Sequence, residues 1–315
     1  MQEAVRELGF QPNPVARGLR KGRTGMIGLL VPDMLNPHFA EYGRQMQIIA
    51  HAAQYMLVLA SYDYESDLVL SHLRTFSAHR VDGLIWMAGK LEGAALEVIT
   101  AARLPTVVID EPAPENIDHV RAFISGDTRD QATYEAVSRL IAQGHRRFAY
   151  LTEGPTLVAA RGRLAAFRAA LNDHGIPPDE ALIKSTAYLQ THKLEGGYLI
   201  TREILDGGRP PTAICALTDL IAIGVLRALR ERGLRVPEDV SVLGCDDILQ
   251  ASYTAPPLTT IHTPYEAISA GVLKLVQHLI DPEIGEEPLP QPGITYTLVE
   301  RASTGPAPAI EQGQI

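Results

Sequence analysis

The sequence predicts an α/β protein made of two doubly wound parallel-sheet layers in tandem. Three observations carry that expectation. Short apolar runs alternate with stretches of helical period from residue 26 onward. The runs are almost continuously hydrophobic, as strands covered on both faces must be. The pattern then restarts once, after the Pro-rich loop 111–116, and 315 residues suit two domains of ordinary size.

The elements follow in order. MIGLLV (26–31) has strand length and is stopped by Pro32 and Asp33. The stretch 37–54 sets Phe39, Met46, Ile49 and Ala50 near helical spacing. Strand YMLVLA (55–60), helix 66–78, strand DGLIWM (82–87), helix 92–102 and strand TVVID (106–110) complete the first set. In the second, FISGD (123–127) leads into helix 128–143, followed by Gly144 and strand RFAYL (147–151). Helix 159–174 ends at Gly175, with Pro177 and Pro178 as stop signals. Helix 193–206, strand AICAL (213–217), helix 219–232, strand DVSVLGC (239–245), helix 264–281 and a late strand ITYTLV (294–299) close the pattern. Right-handed crossovers wind each set into a layer. Two such layers would leave a ligand cleft at the carboxyl ends of their strands, with hinge closure as the expected motion.

Composition excludes several classes. Hydrophobic residues at 46% and charged residues at 21% rule out a disordered or fibrous chain. No apolar run reaches the roughly 18 residues of a bilayer span, and the N-terminus lacks the apolar segment of an export signal, so no membrane association is expected. Cys215 and Cys245 both lie in apolar runs, which argues against a disulfide framework and for a reducing cytoplasm. Two cysteines cannot build a thiolate zinc site, and the ten histidines show no HExxH spacing, so no metal is expected. No Walker loop, GxGxxG after a strand, or nucleophile–base pattern is present; Gly22, Gly25 and Gly28 fit neither phosphate loop. The sequence therefore predicts neither an enzyme nor a cofactor.

Charge is split along the chain. Residues 1–24 hold five basic and two acidic side chains, a net of +3, within a formal total of −9, so the remainder carries −12. A solvated tail and a basic arm that meets phosphate both fit this split. Asn13 suits a helix N-cap with Pro14 at the first helical position, and the helix from Pro14 to Arg20 is too short to stand alone in water.

The segment QPNPVARGLRKGRTGMIGLLVPDMLNPHFAE (11–41) resembles the LacI/GalR family of bacterial transcription regulators. Further segments resemble it in the same order: VDGLIWM (81–87), LIAQGHRRFAYL (140–151), RGRLAAFRAAL (161–171), GLRVPEDVSVLGCDD (233–247) and PPLTTI (256–261). The resemblance implies two lobes of the periplasmic-binding-protein-like type behind a helical DNA-binding head and a hinge helix. It implies a remnant of head and hinge in 1–24, an N-terminal lobe of 25–125 plus 263–290, and a C-terminal lobe of 126–262 plus 291–302. The tail 303–315, rich in Pro, Ala, Gly and Gln, is expected to be disordered. Family members begin with three helices, the second of which reads the major groove. This chain opens inside what resembles the third, MQEAVRELGF, so a natural start about 35 residues upstream is expected, and the chain as it stands should read DNA poorly.

Function follows from the same resemblance: a ligand-responsive repressor, dimeric on a pseudo-palindromic operator. The alternative is a solute-binding protein without DNA binding. The implied DNA contacts are Asn13, Val15, Ala16, Arg17, Leu19, Arg20 and Lys21, with Leu19 as the apolar wedge between base pairs and the basic residues on phosphates or groove edges. For the effector, Arg163 matches a family arginine whose planar fork holds hydroxyls or an anion; the bland reading is a surface arginine beside Arg161 and Arg168. Asp246 matches a carboxylate that accepts from the ligand, with Asp247 on the opposite face and structural. His38 and Phe39 sit in the NPHF segment, Phe39 either stacking on a ring or capping a helix core. Trp86, the single tryptophan, fits cleft mouth and core equally; Asp127 reads first as an N-cap and second as a contact; Tyr188 is a loop aromatic. Thr218 stands where the family usually has Asn. Few donors lie in 156–160, which disfavours a purine and favours a carbohydrate effector.

Overall fold

The computed structural model describes residues 23–154, 158–283 and 294–309. The expected hinge helix and all seven expected DNA contacts, Asn13, Val15, Ala16, Arg17, Leu19, Arg20 and Lys21, lie outside them. Contacts divide the described chain into two units. One holds 23–34, 42–123 and 269–283; the other holds 35–41, 124–268 and 294–309.

The first unit is built on five parallel strands in the order β2-β1-β3-β4-β5. These are β1 (Met26–Val31), β2 (Met56–Ser61), β3 (Gly83–Met87), β4 (Thr106–Ile109) and β5 (Val120–Phe123). Helices α1 (Pro37–Ala52), α2 (Ser66–Ala78) and α3 (Gly93–Ala102) connect the strands. Asn36 caps α1, its side-chain oxygen accepting from the His38 N–H at 3.1 Å with Pro37 at the first helical position. The central strands β3 and β4 are buried at every residue, as their unbroken apolar sequences require, while the edge strand β2 has only exposed and half-buried positions. Phe76, Leu84, Trp86 and Ile99 knit the sheet to α2 and α3 in one apolar cluster.

The second unit has six strands in the order β11-β10-β9-β8-β6-β7. They are β6 (Phe148–Thr152), β7 (Ile183–Ser185), β8 (Ala213–Ala216), β9 (Ser241–Asp246), β10 (Thr259–His262) and β11 (Thr297–Val299), all parallel except β11 against β10. Its helices are α4 (Gly126–Ala142), α5 (Val158–Asp173), α6 (Tyr188–Thr191), α7 (Lys193–Asp206) and α8 (Asp219–Glu231). The final long helix, α9 (Tyr265–Ile280), starts here and is grouped with the first unit from Ser269. Helices α7 and α8 cross at their glycines. A Cβ on Gly197 would lie 2.3 Å from Ile221 O, and one on Gly224 would lie 2.2 Å from Leu194 O. Backbone meets backbone there, and only glycine fits.

Three expectations need correction. The strand before α4 is 120–123 rather than part of 123–127, because Val120–Phe123 is the stretch registered against β4. Tyr188 lies in a short helix, not a loop. The tail does not become disordered at Ser303. Ser303 is fully buried, its hydroxyl donating to Val242 O (2.6 Å) and accepting from Thr259 N (2.8 Å), while Gly305 O accepts from His145 Nε2 at 2.9 Å. Composition suggested disorder, but small polar residues are what a segment lying across two strands needs. Among the described residues no helix is long and apolar enough to cross a membrane.

Candidate functional site

Parallel strands β6, β8 and β9 deliver their carboxyl ends to the same edge of the second sheet. Those ends carry Glu153, Thr218 and Asp246, and α5 brings Arg163. All four are buried, which is rare for the three that carry charge and requires each to be satisfied.

Asp246 is the centre. It is 5% exposed and leaves β9 with a φ of +119°, followed by Asp247 at +56°. The two carboxylates diverge because the chain turns through left-handed conformations there, not by the strand alternation expected from sequence. Asp247 accepts from Arg301 Nη2 (2.5 Å) and lies 2.9 Å from His262 Nδ1, a structural pairing. Asp246 faces other partners. His38 Nδ1 lies 3.4 Å from its Oδ1 and 2.9 Å from Tyr265 Oη, while the Tyr265 hydroxyl donates to the Asp246 backbone carbonyl at 3.0 Å. With its proton directed there, Tyr265 accepts from His38, so Nδ1 of that ring carries a hydrogen. Burial pushes the Asp246 carboxyl up to about 7; Arg163 and Lys193 pull it down and Glu153 pushes it further up.

Arg163 reaches from α5 to β8. Its Nη1 donates to Leu217 O at 2.5 Å and its Nε to Ala159 O at 3.3 Å. The guanidinium is buried, so the surface reading is wrong. Thr218 caps α8, its hydroxyl accepting from Ile221 N at 3.4 Å. Phe39 is buried and sets its ring edge-on to His38 at 5.1 Å. Tyr188 is not joined to this group by any contact described. It is exposed, stacks on His192 and donates to Glu195 at 2.8 Å. In the first unit, Trp86 belongs to the core cluster, yet its indole N–H is buried without an acceptor among the described residues. The side chain of Asp127 lies outside the described set.

Sequence reasoning missed two features. Asp219, the first residue of α8, is fully buried and accepts from Ile248 N (2.9 Å) and the Thr260 hydroxyl (2.5 Å). Burial and the neighbouring Asp246 raise its pKa. It ties α8 to β10 and to the turn that presents Asp246; its sequence signal was only an acid behind an N-cap. The second is a buried ion pair, Lys193 Nζ to Glu153 Oε1 at 2.9 Å.

Comparison with known proteins gives the same answer from three sides. A family model described as a periplasmic binding protein-like domain matches residues 137–304. The chain is 31% identical over 304 residues to the HTH-type transcriptional regulator RegA of Clostridium saccharobutylicum, covering 96% of this chain and 88% of that protein. It is 31% identical over 311 residues to the ribose operon repressor of Escherichia coli K12, covering 96% and 89%. Among solved structures it resembles a transcriptional regulator CelR–cellobiose complex, with TM-score 0.78, 26% identity and coverage of 96% and 89%.

Proposed function

The chain belongs to the LacI/GalR family of HTH-type transcription regulators, and from that premise we propose that it is a cytoplasmic, carbohydrate-responsive repressor acting as a homodimer on operator DNA. The single observation that carries the effector class is the buried set around Asp246. It brings together a carboxylate acceptor in Asp246, a guanidinium in Arg163 and the imidazole of His38, whose Nε2 is an acceptor in that tautomer, a set of donors and acceptors suited to adjacent hydroxyls. Such groups are costly to bury and contribute little to packing, so their place at the strand ends suits a ligand. The relatives named for ribose and cellobiose support a sugar. Arg163, Asp246, Thr218 and His38 are the effector contacts in this reading.

Occupancy acts through differential affinity for two states of the protein. In this reading the basic stretch 14–20 supplies the contacts to operator DNA, with Leu19 as the apolar wedge in the minor groove. Fluorescence anisotropy of the protein on a DNA fragment from upstream of its gene tests the proposal. Affinity should fall steeply with salt. One sugar or sugar derivative from a broad panel should shift it by about fivefold or more. Tight binding that no sugar changes would overturn the proposal.

A further inference from the structure

Two side chains that the functional reading does not use belong to the same strand-end group as Asp246. Glu153 follows β6, Lys193 opens α7, both are buried, and the ammonium and carboxylate meet at 2.9 Å. Each is fixed locally as well. Lys193 Nζ donates to Gln190 O at 2.5 Å, and Ser185 Oγ donates to the backbone carbonyl of Glu153 at 3.1 Å. A buried ion pair is seldom the most stable filling for a site, since apolar groups of equal volume do as well or better. Both charges act on Asp246 in opposite senses, so the pair and the effector carboxylate share one local field.

We propose, resting on the carbohydrate-regulator reading, that the Glu153–Lys193 pair makes this site selective for a neutral polyhydroxylated effector over its carboxylated or phosphorylated counterpart. A hydroxyl donates and accepts at once, so it can face the carboxylates of Glu153 and Asp246 and the ammonium of Lys193 without bringing charge. An anionic substituent has no such freedom. It must compete with Glu153 for Lys193 and come to rest beside the Glu153 carboxylate in a buried site, where like charges repel strongly. Arg163 has its Nε and Nη1 engaged by the backbone carbonyls of Ala159 and Leu217, and Arg129 lies over the Tyr296 ring at 5.9 Å. Discrimination thus arises from what the pair rejects as much as from what it holds.

The test is titration calorimetry on the full chain with matched pairs: ribose and ribonate, glucose and gluconate or glucuronate, cellobiose and cellobionate, and the corresponding sugar phosphates. For whichever pair binds, the neutral member should bind more tightly by about tenfold or more. Glu153→Gln leaves Lys193 uncompensated and should shift that preference towards the acid by about tenfold. A merely structural pair would weaken both members alike. An acidic or phosphorylated member that binds the wild type as well as its neutral partner overturns the inference and leaves the carbohydrate reading standing. An unchanged ratio in Glu153→Gln does the same. Binding by no member of any pair overturns both. The wild-type comparison decides even where the variant fails to fold.

Discussion

Asp246 is a carboxylate held where its charge is least favourable, and this has a measurable consequence. Its folded-state value near 7 lies above the ordinary value near 4. Between those values the folded protein keeps a proton that the unfolded chain has lost. Stability from this group is therefore fullest below pH 4 and declines as pH rises to 7. Asp246→Asn, which cannot ionise, should gain thermal stability over the wild type progressively from pH 5 to pH 8, by about 2–3 kcal/mol across that range. Melting curves at both ends check this, and an equal difference at pH 5 and pH 8 would contradict it. At this scale the sequence was legible where a motif fixed a position, as for Arg163 and Asp246. It was silent on Glu153 and Lys193, because an acid after a strand and a base opening a helix normally face water. Only the fold brings residues 40 apart in the chain into contact.

Helix α8 shows how an element serves the site. Its apolar face, with Ile221, Ala222, Val225 and Leu229 at helical spacing, packs on the second sheet. Its glycine crossing fixes α7, and thereby Lys193, against it. Gly224→Ala places a methyl against the Leu194 carbonyl and should destabilise the protein by about 1–3 kcal/mol. Urea denaturation measures this, and a loss within 0.5 kcal/mol, about the size of a neutral surface change, would show that the crossing relaxes freely. Most strands were legible as unbroken apolar runs. The exceptions have physical reasons. Strand β7 is three residues long, and β10 is Thr-Thr-Ile-His, whose hydroxyls bond to neighbouring segments rather than to solvent. Neither carries the apolar signal that a window over the sequence detects.

For the whole molecule, the exposed apolar surface of the first unit supports the proposed homodimer. The edge strand β2 and α1 leave Met56 at 66% and Ile48 at 52% exposed. An unpaired edge next to large apolar side chains is a surface that association would cover. Met56→Glu should convert a dimer to monomers in sedimentation velocity at micromolar concentration; an unchanged sedimentation coefficient would place the interface elsewhere. The doubling of the α/β pattern was legible from the restart after residue 116. The return of the chain to the second unit was expected over 291–302 from the family resemblance; what the sequence did not show is that 303–309 go with it, since polar and proline-rich segments carry little periodicity.

That late return has a practical consequence for anyone handling the protein. Residues 303–307 fasten Ser241, Val242, Thr259, His145 and Gln143 through backbone and hydroxyl bonds, so they behave as a clasp rather than trailing chain. Clipping by a carboxypeptidase, or an engineered stop codon after Arg301, would strip those partners together. At about 1 kcal/mol for each lost bond, the second unit should melt several degrees earlier. A tolerated stop at that point would show the clasp to be dispensable.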